Sequence, residues 1–226
     1  MGASPYSGGM RDLWVDPFSG LSGDLWVGAF LALGVPEADL ADVLRRLPFD
    51  DLALEVKTVL RCGVEATKAS VVIGGKVDTG ATPHLAEGPL KGVRKRVKVG
   101  GHDHVHGLSW REVDEVLARH LDPKVAAYAR EAFRRLGESE ARVHGMPLEQ
   151  VHFHEVGALD TVADVVGTLT AWHSLKCPQV VSSVVGVGSG MVTGSHGALS
   201  VPAPAVSGLL ARAAAPSWAG PLPREA

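Results

Sequence analysis

One short segment concentrates groups that can bind a metal ion. Residues 151–167, VHFHEVGALDTVADVVG, hold two histidines, a glutamate and two aspartates among Val, Phe, Leu, Ala and Gly. Charged groups in apolar surroundings are costly to bury unless a metal, a polar ligand or an opposite charge pairs with them. These candidates are His152, His154, Glu155, Asp160 and Asp164.

The H-x-H pair could present two imidazoles together. If residues 151–155 are extended, His152 and His154 lie on one side of the strand. Glu155 adds a carboxylate, and such a set suits Ni²⁺, Zn²⁺ or Mn²⁺. The pattern is not the zincin H-E-x-x-H, because Ala158 stands where the second histidine belongs. The alternative is a pair of hydrogen-bonded structural histidines at a strand end.

Asp160 and Asp164 are four residues apart on a predicted helix, so they share a face. Like charges repel there unless a cation or a basic group lies between them. One of the two could instead serve the helix N-terminus, where a carboxylate is stabilised.

A second block, DPFSGLSGD, runs from Asp16 to Asp24 between a predicted strand and a predicted helix. A small-residue loop with Ser19 and Ser22 before a helix N-terminus suits an anion. Asp16 and Asp24 could hold a divalent ion that bridges phosphates. The chain has no Walker A motif, and ordinary helix capping is the alternative interpretation.

Three alternating histidines occur in GHDHVHG after a run of five basic residues. Flanked by glycine, His102, His104 and His106 form a flexible metal-capturing tract, and the alternative is a solvated linker.

A glycine-rich turn with Gly186, Gly188 and Gly190 would let the backbone approach a ligand closely. G-x-G-x-G without a Rossmann context does not by itself indicate a nucleotide. His196 could be a ligand or an acid/base group, or a structural histidine.

The elements that must position these residues alternate between strands and helices, which predicts an α/β fold with a mixed sheet and flanking helices. Strands are predicted over 13–16, 52–58, 64–73 and 180–185. A first helix is predicted from about Gly23 to Leu33, with Ser22 as N-cap and Gly34 as its stop, and a second from Pro36 to Pro48. The second helix has an apolar face formed by Leu40, Val43, Leu44 and Leu47. Further helices are predicted to begin with a capping box at Ser109 and Glu112 and with Asp122 and Pro123, and another to end near Ser174. Residues 1–12 are expected to be a flexible N-terminus and 13–210 one domain containing a long histidine-bearing loop over 74–107. Residues 211–226 are expected to be a tail.

Composition restricts the class of protein. The 226 residues are 46% hydrophobic and 21% charged with a net charge of −3, which is typical of a soluble globular protein. Nothing favours a nucleic-acid or membrane partner. Cys62 and Cys177 suit a reducing compartment, and the N-terminus lacks the apolar core of a signal peptide. We therefore expect a cytoplasmic protein.

Four ordered blocks, DPFSGLSGD, HDHVHG, VHFHEVGALDTVADVVG and GVGSGMVTGSHGALSVPAPA, resemble the nickel-insertion proteins of nickel-pincer-nucleotide cofactor synthesis, the LarC family. The resemblance covers residue 13 to the end. It implies a CTP-dependent cyclometallase, a lyase-class nickel chelatase, that places Ni²⁺ into pyridinium-3,5-bisthiocarboxylic acid mononucleotide. CTP would be split to CMP and pyrophosphate with Mg²⁺ or Mn²⁺, and the product would serve lactate racemase-type enzymes.

The resemblance also implies roles and partners. His102, His104 and His106 would deliver nickel, and His152, His154 and Glu155 would hold it. A cation or polar groups of the ligand would be bound by Asp16, Asp24, Asp160 and Asp164. Phosphate would be bound by Ser19, Ser22 and the turn at Gly186, Gly188 and Gly190, with His196 beside them. Partners would be the thiolated pyridinium mononucleotide, CTP, a separate C-terminal portion and a lactate racemase-type apoenzyme, with a homo-oligomer left open.

Family members are longer and carry a C-terminal domain that binds CTP. The resemblance therefore implies that this chain is the N-terminal part, with 211–226 a truncated tail, and that CTP hydrolysis needs the absent domain. Alternative functions are a nickel-binding or storage protein, a metal-dependent hydrolase built on H-x-H, or a non-functional fragment. An (β/α)₈ hydrolase is disfavoured because H-x-H normally lies near its first strand, with a whole barrel after it.

Overall fold

Helices and short strands alternate in a computed structural model that describes residues 12–49, 52–61, 63–73, 76–77, 97–99, 102–104, 108–153, 159–194 and 197–220. The helices are α1 (Gly23–Ala32), α2 (Glu37–Arg46), α3 (Trp110–His120), α4 (Pro123–His144), α5 (Leu159–Ser174) and α6 (Pro204–Arg212), with a 3₁₀ turn at Leu148–Gln150. The strands are β1 (Asp12–Val15), β2 (Leu52–Arg61), β3 (Val64–Ile73), β4 (Lys76–Val77), β5 (Val97–Val99), β6 (His102–His104), β7 (Gln179–Ser182), β8 (Val185–Gly186), β9 (Gly190–Gly194), β10 (Gly197–Val201) and β11 (Ser217–Trp218).

Helices and short strands occur together along the chain, so the predicted α/β class is confirmed. The mixture of parallel and antiparallel pairing is distributed over separate sheets, since each described sheet is of one kind. β1 runs parallel to β7 with Asp12 opposite Gln179 and Val15 opposite Ser182, and β8 runs parallel to β11. β2, β3 and β4 form an antiparallel sheet, and β5–β6 and β9–β10 are antiparallel pairs. The strands of the described residues are thus divided among five small sheets.

Local signals in the sequence set the helix ends. Ser109 caps α3 in a reciprocal capping box with Glu112, and the Asp122 side chain accepts from the Lys124 N–H at 2.9 Å at the start of α4. Gly34, with φ +93°, takes the left-handed conformation just after α1, which glycine adopts without strain. These predicted starts and stops are confirmed.

Two clusters of buried side chains form the core. The first joins α2, α3, α4 and α5 to the ends of β2 and β3, and the second lies between α1, β1 and the C-terminal half of α5. In α2 the predicted apolar face is fully buried, because its members are spaced at helical intervals. That face comprises Leu40, Val43, Leu44 and Leu47.

Close backbone packing fixes α1 between β3 and α5. A Cβ added at Gly28 would lie 2.5 Å from the Thr67 carbonyl oxygen of β3, so only glycine allows this approach. On the other side, a Cβ at Gly167 of α5 would lie 3.2 Å from Val27 Cγ2. The middle of α1 is therefore packed closely against both neighbours.

Short strands occur where the sequence pattern does not indicate them. β4, β5 and β6 lie inside the predicted loop 74–107, and the backbone of β6 pairs His102 with Val99 and His104 with Val97. β11 lies within residues 211–226 and pairs with β8. Strands of two or three residues carry too few side chains to show a period of two, which is why the pattern misses them. No described helix is long and apolar enough to cross a membrane.

An ion pair links α6 to α4. The Glu138 carboxylate accepts hydrogen bonds from Arg212 of α6 and from Arg134, and the buried Ser139 hydroxyl donates to the Ala205 carbonyl at 2.7 Å. The hydrogen bond from Arg212 lowers the pKa of Glu138, with the positive charges of Arg134 and Arg212 adding and burial opposing. These contacts tie the described C-terminal helix to the longest helix.

We expect Arg212→Ala to raise the pKa of Glu138 toward its ordinary value of 4.5. A lowered carboxyl pKa contributes stability that is complete above about pH 4.5 and lost as the pH falls through the folded value. The loss in Arg212→Ala at neutral pH is expected to be at most about 1 kcal/mol, because the pair is partly exposed. Carboxyl ¹³C NMR titration measures the pKa, and the control is Arg119→Ala, which removes an exposed arginine paired with Glu115 on α3. An unchanged Glu138 pKa would contradict the assignment.

Candidate functional site

The carboxyl ends of β1 and β7 meet at the same edge, where parallel α/β sheets bind ligands. Asp16 follows β1 directly, and Ser183 follows β7. The Ser183 N–H donates to the Val15 carbonyl at 3.0 Å, and the Ser183 hydroxyl donates to Asp16 Oδ1. Ser183 therefore holds the Asp16 carboxylate in a fixed orientation.

The backbone of the DPFSGLSGD loop packs against Gly186. The Gly186 N–H donates to the Pro17 carbonyl at 2.9 Å, and a Cβ at Gly186 would lie 2.3 Å from the Phe18 carbonyl oxygen. The close approach predicted for the glycine-rich turn is thus made, at this position, to the loop itself. Gly188 and Gly190 have φ values of +68° and +113°, which glycine adopts most readily.

The loop ends at the N-terminus of α1, where Ser22 occupies the predicted N-cap position. Its side chain does not cap the helix but donates to Asp24 Oδ1. The same oxygen accepts from the Leu25 N–H at 2.9 Å, so Asp24 meets the positive end of the helix dipole. Ser19 is exposed in the loop.

α5 brings Asp164 against this helix start. A Cβ added at Gly23 would lie 2.3 Å from Asp164 Cβ and 2.6 Å from Asp164 Oδ2. Asp160 lies one turn earlier, as the four-residue spacing predicts, and its Oδ1 accepts from the Thr161 N–H at 2.7 Å. Two blocks far apart in the sequence therefore meet at Gly23, with Asp24 and Asp164 on adjacent elements.

His152 lies two residues after the 3₁₀ turn Leu148–Gln150. It is exposed between Val151 and Phe153, which are 2% and 1% exposed, and this alternation fits the predicted extended segment. Its Nδ1 is 3.1 Å from the Gln150 carbonyl, and its backbone forms a bridge with Ser109 at the start of α3.

Several predicted site residues lie outside the described part of the chain, namely His106, His154, Glu155 and His196. His102 and His104 are described only through the backbone of β6. Among the described residues, no three His, Cys, Asp or Glu side chains form a group that could hold a metal ion. The histidine-based nickel site stays a prediction.

Ser183 is the site residue that the sequence analysis missed. A serine after a valine-rich strand is ordinary, and its partner Asp16 lies 167 residues away in the chain. The signal that could have found it is topological: once β1 and β7 are taken as parallel neighbours, the residues that follow them must lie side by side. The arrangement as a whole offers fixed carboxylates beside a helix N-terminus, which is suited to cations and phosphate groups.

This chain is similar in sequence to a family of known proteins. Residues 13–226 match the family model described as nickel insertion protein. A relative from Thermomicrobium roseum named as a nickel insertion protein is 39% identical over 209 residues, which cover 92% of this chain and 45% of the relative. A relative of the same name from Citrifermentans bemidjiense is 36% identical over 180 residues, covering 80% and 40%. The chain thus spans less than half the length of these relatives, and no solved structure matches it.

Proposed function

Since this chain belongs to the nickel insertion protein family, we propose that it takes part in inserting Ni²⁺ into an organic cofactor precursor. The observation that supports this most directly is that the DPFSGLSGD loop is bonded to Ser183 at its start and lies against Asp164 near its end. Oriented carboxylates beside a helix N-terminus can hold a divalent ion or the polar groups of a phosphorylated substrate.

The substrate we propose is pyridinium-3,5-bisthiocarboxylic acid mononucleotide, with Ni²⁺ as the second substrate. Nitrogen and oxygen ligands of the protein would carry nickel, and the softer thiocarboxylate sulfurs would draw it away because soft ligands retain such ions better. Forming the carbon–nickel bond replaces a ring hydrogen, so one proton must leave. A carboxylate of this site, among Asp16, Asp24, Asp160 and Asp164, would accept it.

Phosphate recognition belongs to the same proposal. The free N–H groups of a helix start and its dipole favour a phosphate group, and α1 begins directly after Ser22. Ser19 and the Gly186–Gly190 turn border the same loop. In this proposal CTP is the activating nucleotide and acts with Mg²⁺ or Mn²⁺. The reaction takes place in the cytoplasm, and its product is supplied to a lactate racemase-type apoenzyme.

The test supplies the purified chain with Ni²⁺, the thiolated nucleotide, CTP and Mg²⁺, with and without the part of the Thermomicrobium roseum relative that lies outside the match. Nickelated product is measured by mass spectrometry and metal analysis. Product in either arm supports the proposal, and absence of product in both arms refutes it. Tight Ni²⁺ binding without product, lost on replacing His102, His104 and His106, would instead indicate storage.

Within this assay, Asp16→Asn is expected to lower the rate of nickel incorporation at least about tenfold, since it removes the charge of the carboxylate that Ser183 orients. Ser183→Ala should lower the rate less, and Ser183→Thr should restore it because the hydroxyl returns. The matched control is Asp42→Asn on α2, whose exposed carboxylate pairs with Arg45. Equal rates for Asp16→Asn and Asp42→Asn would remove Asp16 from the site.

A further inference from the structure

Strand β1 is covered on one face only by the described residues, and all four residues of its partner β7 are exposed. Leu13 and Val15 of β1 face the core formed with α1 and α5. Trp14, between them, is 66% exposed, and its register partner Val181 is 37% exposed. Side chains that alternate along a strand point to opposite faces, so Trp14 and Val181 mark the opposite face, which we call the outer face.

An open outer face is unusual for parallel strands. Parallel sheets occur almost only with both faces covered, because their strands are apolar on both sides. Here β1 has a single neighbour among the described strands, so one of its edges is open as well. A two-stranded unit of this kind needs further packing to be stable, and the sequence supplies the apolar residues that such packing would use.

Further exposed apolar side chains lie near the carboxyl ends of β1 and β7. Phe18 lies in the loop after β1, Val184 follows β7, and Trp218 of β11 is the register partner of Gly186. They are 71%, 50% and 51% exposed. Tryptophan and other aromatic residues are enriched at the centres of protein interfaces, and exposed apolar patches usually mark a binding surface.

Charge indicates the chemistry of the partner. No Asp, Glu, Lys or Arg occurs between Lys176 and Arg212, which includes all of β7 to β10. On β1 the exposed Asp12, two residues before Trp14, adds one negative charge to the outer face. A face with few charges and no positive one does not attract nucleic acid or an anionic ligand, and it fits an apolar polypeptide surface. The match covers 45% of the Thermomicrobium roseum protein, so more than half of that relative is additional polypeptide.

We propose that the outer face, defined by Trp14 and Val181 and extended by Phe18, Val184 and Trp218, is the docking surface for the portion of longer nickel insertion proteins that has no counterpart in this chain. The inference rests on packing and on the lengths of the relatives, and it does not depend on the proposed reaction. The face would then be buried as the second side of the parallel strands.

The experiment co-expresses the tagged chain with the unmatched portion of the Thermomicrobium roseum relative and measures co-purification. We expect a complex, and Trp14→Glu or Val181→Glu should lower the recovered partner at least about tenfold. Leu60→Glu is the matched control, because Leu60 is 68% exposed on the β2–β3 hairpin. Circular dichroism confirms that each variant is folded.

A covalent fusion of the two parts gives a second measurement that does not require separate folding of the partner. Hydroxyl-radical oxidation of Trp14 and Trp218 should fall several-fold in the fusion relative to the chain alone, while oxidation at Leu60 stays the same. Unprotected Trp14 in the fusion, or a complex that withstands Trp14→Glu, overturns the proposal. So does a homodimer of the chain alone that Trp14→Glu dissociates, because the occupant would then be a second copy.

Discussion

Gly23→Ala is expected to lower the free energy of unfolding by about 2–3 kcal/mol, because the added methyl group would overlap Asp164. Its Cβ would lie 2.3 Å from Asp164 Cβ. A change of rotamer cannot relieve this overlap, since the Cβ position of Asp164 is fixed by the backbone of α5. The two helices must therefore separate at the α1 N-terminus, and we expect nickel insertion to fall with the stability.

A graded control for this prediction lies in the same helix pair. A Cβ at Gly167 would lie 3.2 Å from Val27 Cγ2, a methyl group that can shift by a few tenths of an ångström. Alanine also gains about 1 kcal/mol of helix propensity over glycine in a helix interior. Gly167→Ala should therefore stay within about 1 kcal/mol of the unsubstituted chain in urea unfolding followed by circular dichroism. Equal stabilities of the two variants would contradict the close contact at Gly23.

The second large effect is expected for Phe153→Ala, at about 3–5 kcal/mol. Phe153 is 1% exposed and meets the Phe133 ring edge-on, with ring centroids 5.8 Å apart. Its N–H also donates to the Leu108 carbonyl at 2.9 Å, which anchors the segment that carries His152. Removing the ring leaves a cavity between that segment and α4 that the surrounding helices can fill only in part.

Phe18→Ala provides the comparison, because the Phe18 ring is 71% exposed and a surface truncation usually changes stability by no more than about 0.5 kcal/mol. The free energy of unfolding of both variants is measured in urea and extrapolated linearly to zero denaturant. A loss below about 1 kcal/mol in Phe153→Ala would mean that the ring is not in the core. Backbone amide exchange at Val151 and Phe153 would show whether the histidine segment loosens with it.

Local patterns predict much of this fold. The capping box at Ser109, the N-cap at Asp122 and the four-residue spacing of Asp160 and Asp164 all involve neighbours along one helix, and each is confirmed. Such features depend on interactions within one or two turns, which the sequence displays directly. The α/β class follows from the alternation of the elements.

Contacts between distant segments are not predictable in the same way. Nothing local to Gly23 indicates that a glycine is required there, since the reason is Asp164 on another helix. Ser183 acquires its role only through the parallel pairing of β7 with β1. The order of strands in a sheet is set by the packing of the whole domain, and the two-residue strands β8 and β11 carry too little pattern to reveal it.

The β1–β7 pairing also fixes when the site can exist during synthesis. β1 is made first, but its partner strand and Ser183 follow some 167 residues later. Contacts of such long sequence separation form late, because the chain must close a large loop before the pairing stabilises it. A nascent chain that has exposed only its first half therefore has Asp16 and Asp24 but neither Asp164 nor Ser183 to order them. The packing of Asp164 against Gly23 and the hydrogen bond from Ser183 to Asp16 therefore form only after residues 164 and 183 have been synthesised, whereas the contacts of Asp24 with Ser22 and Leu25 are local and can form earlier.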